Sequence, residues 1–174
     1  GDVNYADMKG VTRLIKAVKK EYFEIARILI EKGANVNAKA DSGMTALMYS
    51  VEKSTLNYNY NPITIKLLLD AGADVNVAAL GYNGENSRKT ALAMAALNGN
   101  LEVIKMLIAK KADINFDLGD GDSALGFAVR GGNVLAATKL LLESGADAKG
   151  VIGQTALKIA RQMTKTMNSN QQYV

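Results

Sequence analysis

The sequence predicts an all-α fold, a solenoid of stacked helix-turn-helix repeats joined by extended β-turn arms, with about four full repeats and a partial terminal repeat. Two recurring motifs predict it. Turns similar to "AGADVN" occur four times, and a helix-starting motif typified by "GMTALMYSV" occurs five times. Copies of the second motif begin at Gly10, Gly43, Arg88, Gly121 and Gly153, so they are 33, 45, 33 and 32 residues apart. Such a period is typical of units that stack because each is too small to bury its own apolar face.

Each unit is predicted to contain two helices. A hydroxyl side chain precedes the first helix and can accept a hydrogen bond from an unpaired helical N–H. These N-cap residues are Thr12, Thr45, Thr90, Ser123 and Thr155. Leu and Ala follow three residues apart on one helical face, in the pairs Leu14 and Ala17, Leu92 and Ala95, Leu125 and Ala128, and Leu157 and Ala160. The second helices carry larger apolar side chains, which we expect to form the core: Ile25, Ile28, Leu29, Ile65, Leu68, Leu69, Val103, Ile104, Leu107, Ile108, Leu140 and Leu141.

The repeated turn ends each second helix. Gly33, Gly72 and Gly145 follow the last apolar residue, where a left-handed conformation commonly ends a helix and Gly adopts it without a steric penalty. Lys111 replaces Gly in the third copy, and a non-Gly residue in that conformation costs about 1 kcal/mol. We therefore predict that this unit is locally the weakest. After the turn, Val36, Val75 and Ile114 are expected to point inward from the extended arm.

The period, the Thr-x-Leu-x-x-Ala pattern and the Gly-Ala-Asp-Val-Asn turn resemble ankyrin repeats, whose unit is a β-turn plus two helices with a Thr-Pro-Leu-His-x-Ala motif. The resemblance extends from about Asp2 to Gln162. It predicts a single domain over 1–174, with repeats at about 7–39, 40–84, 85–117, 118–149 and a partial repeat at 150–174. The five copies differ from the family motif at two positions. The family's Pro is replaced by Arg13, Ala46, Ala91, Ala124 and Ala156, and its His is replaced by Ile15, Met48, Ala93, Gly126 and Lys158. Because that His ties neighbouring turns together in the family, we expect looser loops here.

The irregular second unit carries two insertions of six residues. They lie in Ser54–Ile63, which contains the chain's only Pro, and in Val77–Ser87. Both mix Asn, Gly and Tyr, a composition that predicts surface loops rather than core. Tyr is a favoured interface residue, so Tyr58, Tyr60 and Tyr82 are candidate partner contacts. The alternative is that these rings pack locally over the adjacent helices.

The composition excludes several kinds of chemistry. The chain has 174 residues and no His or Cys, which excludes Ser-His-Asp and Cys-His catalytic sites, imidazole metal sites and disulfides. The densest acidic group, Asp117, Asp120 and Asp122, lacks the distant Glu of a calcium loop, and no Gly-rich segment leads into Lys-Ser or Lys-Thr. We therefore predict no catalytic residue, metal, cofactor or small-molecule substrate. A catalyst would instead need a pocket of facing carboxylates.

Charge and hydropathy bear on the remaining function classes. The net charge of +4 comes from 21 Lys and Arg against 17 Asp and Glu, and the Lys residues are spread singly along the helices. This pattern is typical of a solvated helical face and disfavours a nucleic-acid or anionic-polymer binder. No apolar run reaches eighteen residues, so no membrane span is predicted. The absence of Cys suits oxidising and reducing compartments alike, so the localisation is not predicted.

The resemblance implies a protein-binding scaffold whose partner, of unknown identity, lies along the concave side formed by arm tips and first-helix ends. The positions that correspond are Met8, Lys9, Val11, Lys19, Lys20, Ser42, Met44, Glu52, Lys53, Lys89, Leu97, Asn98, Asp120, Asp122 and Arg130. Met44 and Leu97 are expected to form its apolar centre. Lys residues collect toward the amino-terminal end and acids on the carboxy-terminal arms, which would steer a partner of opposite polarity into register.

A structural variant of this interpretation is that the chain is a segment of a longer array. "DVNYAD", from Asp2 to Asp7, looks like the tail of an arm. At the other end, Thr155 to Thr166 predicts a first helix, and the polar "MNSNQQYV" supplies no full second one. A polar cap, a trimmed end and a self-association face are all consistent with that pattern.

Overall fold

The computed structural model describes residues 1–53, 62–80, 88–119, 122–131, 134–149, 153–158 and 161. Its elements in chain order are α1 (Arg13–Lys19), α2 (Phe23–Glu31), α3 (Ala46–Lys53), α4 (Ile63–Asp70), β1 (Ala79–Leu80), β2 (Arg88–Lys89), α5 (Ala91–Asn98), α6 (Leu101–Ala109), α7 (Ala124–Arg130) and α8 (Val134–Glu143). Residues 153–158 are also helical. No helix among the described residues is long and apolar enough to cross a membrane.

Helix contacts confirm the predicted stack. Helix α1 packs against α2 within its own repeat and against α3 of the next repeat, and α3 and α5 repeat this arrangement. Second helices pack on each other as well, as α2 on α4 and α6 on α8. Every extensive contact between described elements therefore joins parts of the same repeat or of neighbouring repeats, as expected of a solenoid.

The first helices begin at the predicted hydroxyl residues, with two exceptions. Thr12, Thr45 and Thr90 each accept a hydrogen bond at Oγ1 from the N–H three residues later, at 3.2, 3.4 and 3.2 Å. Ser123 is the N-cap of α7 but makes no such bond. Thr155 lies inside the helical residues 153–158 and is not their cap.

The core follows the repeat alignment. Leu14, Leu92 and Leu125 are buried on the predicted face of their first helices, and Leu47 is buried at the same position of α3. Leu157, the fourth predicted Leu, is half-buried. In the second helices the corresponding buried Leu residues are Leu68, Leu107 and Leu141. Ala17, Ala95 and Ala128 are buried three residues later, and these small side chains let neighbouring repeats approach closely.

The predicted core positions of α2 are an exception. Ile25 is 50% exposed and Ile28 is 48% exposed, so neither belongs to the core as the sequence predicted. Val103 occupies the position of Ile25 in a later repeat and is 0% exposed. Ile25 differs because no described repeat packs in front of α2. Ala26 is the fully buried residue of this helix.

The turn after each second helix has the predicted left-handed conformation. Gly33, Gly72 and Gly145 have φ values of +83°, +84° and +100°. Lys111 has a φ of +64° at the same position, so it carries the predicted strain. Glu21, after α1, is a second non-Gly residue with positive φ, at +59°.

Replacing Lys111 by Gly is expected to stabilise the protein by about 1 kcal/mol, because Gly adopts this conformation without a Cβ clash. The free energy of unfolding in urea measures the effect. The reverse substitution, Gly72→Lys, is the matched control and should destabilise by a similar amount. A Lys111→Gly variant that is no more stable than the parent would show that the strain is absent.

Asn side chains form a ladder along the arms that the sequence analysis missed. The Oδ1 atoms of Asn4, Asn37, Asn76 and Asn115 accept hydrogen bonds from the backbone N–H of Asn35, Asp74, Asp113 and Asp147, respectively, at 2.7–2.8 Å. The Nδ2 atoms of Asn37 and Asn115 also donate to the carbonyls of Gly72 and Gly145 at 3.2 Å. Each Asn therefore joins its arm to the following turn. These bonds tie adjacent turns together without the family's His.

The arms are short hairpins, and one of them contains the first residues of the second insertion. Strand β1 pairs antiparallel with β2, with Ala79 opposite Lys89. Val77 and Ala79 are buried, so the first residues of the predicted Val77–Ser87 loop belong to the core instead. Their side chains are covered because the base of this hairpin packs on the preceding arm, where Ala79 lies beside Gly43. The rest of that insertion, 81–87, lies outside the described residues.

Candidate functional site

A row of buried side chains underlies the surface formed by the arms and the carboxyl ends of the first helices, which we call the arm face. Tyr49, Met94 and Phe127 occupy the same position of α3, α5 and α7, and each is buried. The sequence analysis did not single them out. Their alignment under one surface follows from the repeat period, which places equivalent residues side by side.

Cations lie over the two rings of this row. The Nζ of Lys19 is 4.6 Å from the ring centroid of Tyr49. Over Phe127, the Cζ of Arg130 is at 4.8 Å and the Nζ of Lys89 is at 5.8 Å from the centroid. A cation within about 6 Å of a ring face is attracted by the ring quadrupole. The arm face therefore carries positive charges that are already positioned by aromatic rings.

The acids predicted at the carboxy-terminal end of this surface are partly neutralised. Arg130 forms a salt bridge with Asp122, so the Asp122 carboxylate does not present an unpaired charge. Asp120 lies outside the described residues. The acidic end of the predicted charge gradient is therefore weaker than the sequence indicated, whereas Lys9, Lys19 and Lys20 are exposed at the other end.

The remaining predicted contacts differ in exposure. Met8 is 100% exposed at the first arm tip. A half-buried group is made up of Val11, Ser42, Glu52, Lys89, Leu97 and Asn98. The described residues do not include Tyr58, Tyr60, Tyr82 or the side chain of Lys53, so their part in recognition stays a prediction.

Met44 is buried and cannot form the apolar centre that the sequence predicted, since it is only 3% exposed. The N–H of Ala40 donates to the carbonyl of Met44 at 3.0 Å across the arm hairpin. Residues opposite each other in such a pair share a face, and Ala40 is buried too. The pairing therefore turns Met44 inward, which leaves Leu97 as the half-buried apolar residue of the predicted centre.

The turn that presents Met8 and Lys9 is held by Asp7. The N–H groups of Lys9 and Val11 donate to Oδ1 of Asp7 at 2.9 and 3.0 Å. These hydrogen bonds favour the ionised carboxylate and lower the pKa of Asp7 below its ordinary value, and the bond from Lys9 has the largest effect. The ionised side chain thus stabilises the first arm tip.

We expect the Asp7 carboxyl to titrate below about 3.9, the usual value for Asp, in an NMR titration of side-chain carboxyl carbons. Because the folded-state pKa is lowered, Asp7 contributes stability above the unfolded-state pKa, and this contribution disappears as the pH falls through the folded-state pKa. Asp7→Asn should remove this part of the pH dependence of the urea midpoint. A folded-state pKa at or above the usual value would contradict the arrangement.

Carboxylates elsewhere do not assemble into a metal site in the part of the chain that the structure describes, where no three His, Cys, Asp or Glu side chains converge. Asp117, Asp122 and Asp147 line a cavity of about 220 Å³ beside the fourth arm. Lys149 lies in the same cavity, and its Nζ is 3.9 Å from a carboxylate oxygen of Asp147. Cations thus offset two of the three acids, since Asp122 pairs with Arg130.

The comparisons with known proteins decide the family. A sequence model described as ankyrin repeats, in three copies, matches residues 1–79, 41–118 and 92–168. The chain belongs to the ankyrin repeat family. Ankyrin repeats are generally non-catalytic protein-interaction modules, which agrees with the resemblance seen in the sequence.

Several curated proteins are similar to this chain. A human protein named ankyrin repeat and SOCS box protein 16 is 32% identical over 151 residues, which cover 83% of this chain and 31% of that protein. The Drosophila melanogaster protein named ankyrin repeat and KH domain-containing protein mask is 32% identical over 114 residues, 66% of this chain and 3% of that protein. The mouse B-cell lymphoma 3 protein homolog is 33% identical over 113 residues, 64% of this chain and 22% of that protein. The chain thus spans a third or less of these relatives.

Proposed function

We propose that this ankyrin chain binds a protein partner through the arm face and catalyses no reaction. The observation that carries the proposal is the cation–ring cluster of Lys19 over Tyr49, because Arg130 over Phe127 already pairs with Asp122. Long basic side chains normally lose conformational entropy when they are fixed in an interface. Here the Tyr49 ring already restricts Lys19, so binding an anionic group costs less.

The layout of the arm face favours a partner segment that combines carboxylates with an apolar side chain. The same position of α1, α3, α5 and α7 is occupied in turn by Lys19, Glu52, Leu97 and Arg130, so these residues follow one another along the stack. Leu97, half-buried between the two charged clusters, offers the apolar contact. Carboxylates of the partner would face Lys19 and the neighbouring exposed Lys20. Complementary charges of this kind mainly raise the association rate and fix the register.

A photo-crosslinking amino acid at position 98 tests the proposal. Asn98 lies at the end of α5 on the arm face, and exposed Lys105 lies on α6 of the same repeat. We expect the bound partner to cross-link from position 98 and not from the control position 105. Lys19→Glu should slow association and reduce its dependence on salt, whereas Lys105→Glu should leave both unchanged. Cross-linking from 105 alone would contradict the proposal.

A second candidate is that these repeats are one run within a longer ankyrin array. Two observations favour it. Asn4 takes part in the arm ladder in the same way as Asn37, and the relatives are several times longer than this chain. An antibody against the repeats should then detect a native protein well above 18.5 kDa. Detection of a native protein of only about 18.5 kDa would contradict this candidate.

A further inference from the structure

The fourth repeat, which contains α7 and α8, has a less stable first helix than the repeat before it. Ser123 is the N-cap of α7 but makes no side-chain cap bond, whereas Thr90 at the same position caps α5. Gly126 lies inside α7 at the position that Ala93 occupies in α5. Gly destabilises a helix interior relative to Ala, because it loses more backbone entropy on folding. Helix α7 therefore lacks two stabilising features that α5 has.

The second helix of this repeat buries an unpaired hydroxyl group. Thr138 of α8 is completely buried, and its Oγ1 has no hydrogen-bond partner among the described residues. Ile65 and Ile104 occupy the same position of α4 and α6, and both are completely buried as well. A hydroxyl loses its hydrogen bonds to water on burial, which costs free energy unless a partner replaces them. Packing α8 into the stack is therefore less favourable than packing α4 or α6.

Polar bonds between the repeats do not offset these differences. The ladder bond from Asn115 to the fourth turn has the same form as the bonds to the earlier turns. An ion pair also joins the third repeat to the second, since the Nζ of Lys110 lies 2.9 Å from Oδ1 of Asp70. The salt bridge between Arg130 and Asp122, by contrast, stays within the fourth repeat. These bonds thus hold the fourth repeat to its neighbour no more firmly than they hold the third.

We propose that the fourth repeat opens as a unit in the native protein while the first three repeats stay folded. Lys111 strains the turn of the third repeat, but that repeat keeps the cap bond of Thr90 and the buried Ile104. The fourth repeat combines a missing cap bond, a helical Gly and a buried unpaired hydroxyl. Units of low stability open locally without unfolding the rest of a protein. Because Arg130 and Asp122 belong to this repeat, its opening removes their end of the arm face and requires no partner.

Native-state hydrogen exchange of the full chain at low urea tests the proposal. The amides of α7 and α8 should exchange at least about tenfold faster than those of α1, α2, α5 and α6, because exchange reports the free energy of each local opening. The helical residues 153–158 follow α8, so the fourth repeat is not the end of the described stack. Equally fast exchange in α1 and α2 would indicate general fraying and overturn the proposal. Faster exchange in α5 and α6 would make the Lys111 unit the weakest and overturn it too.

Thr138→Val tests the cause of the opening. Val is close to Thr in shape and lacks the hydroxyl, so the variant should slow exchange in α7 and α8 about tenfold and leave α1 and α2 unchanged. Thr90→Val is the matched control, because it removes a buried Thr hydroxyl that caps α5, and it should speed exchange in α5 and α6. Unchanged exchange of α7 and α8 in Thr138→Val would overturn the proposal. Equal slowing in every helix would overturn it as well, since the chain would then open only as a whole.

Discussion

Gly131→Ala is expected to destabilise the protein by about 2–3 kcal/mol, the range of a substitution that overpacks a tight contact. The backbone φ of Gly131 is −85°, which any residue can adopt, so strain is not the reason. A Cβ at this position would instead lie 2.2 Å from the carbonyl oxygen of Leu97 in the preceding repeat. Backbone atoms cannot move aside as a flexible side chain can. The repeats containing α5 and α7 would have to separate.

Equilibrium unfolding in urea measures this effect. Asn98 occupies the position of Gly131 in the preceding repeat and already carries a side chain. Asn98→Ala is therefore the matched control, with an expected change within about 0.5 kcal/mol. A Gly131→Ala protein as stable as its parent would show that the two repeats are less closely packed than described.

Leu107→Ala should cost about 3 kcal/mol, whereas Leu29→Ala should cost about 1 kcal/mol. The two residues are of the same type and occupy the same position of α6 and α2. Leu107 is completely buried, and Leu29 is only half-buried. The difference arises because a repeat precedes α6, whereas no described repeat packs in front of α2. Burial at this position comes from the neighbouring repeat rather than from the unit itself.

The same urea experiment compares these two variants. Their difference should be about 2 kcal/mol, which is well above the measurement error. Equal losses would mean that each repeat buries its own core. Circular dichroism of both variants before unfolding checks that the helical content is unchanged.

Features that depend on a single repeat could be predicted from the sequence. The Thr caps and the left-handed glycines follow from local backbone geometry, which each motif specifies by itself. Lys111 shows how far this extends, because its position in the motif alone predicted the positive φ of +64°. The repeat period then predicted the stack, since equivalent apolar faces must cover each other.

Features that depend on the neighbouring repeat could not be predicted in the same way. Ile25 has the same apolar character as Val103, and only the position of α2 at the front of the described stack makes it exposed. Met44 looked accessible because it follows an arm-tip Gly, but its pairing with Ala40 turns it inward. Both errors came from assigning exposure by position in the motif without considering what covers that position.

The interactions between repeats were hidden for a related reason. Asn37 fits a turn motif on composition alone, and its contact is 37 residues away at Asp74. The ring of Tyr49 on α3 contacts Lys19 on α1 of the preceding repeat, although nothing in either helix indicates the pairing. Aligning the repeats one below another would have found the Asn ladder, since Asn recurs at that position, but not the Lys19–Tyr49 pair, since the residue types at those two positions change from repeat to repeat.

Hydrogen exchange of the intact chain, with and without Gly131→Ala, tests the central claim that each repeat is stabilised by its immediate neighbours. We predict that the substitution lowers amide protection most in α7 and α8, less in α5 and α6, and hardly at all in α1 and α2, because coupling in such a stack passes from one repeat to the next. An equal loss of protection in all these helices would contradict the claim, since it would mean that the chain unfolds as one globular unit.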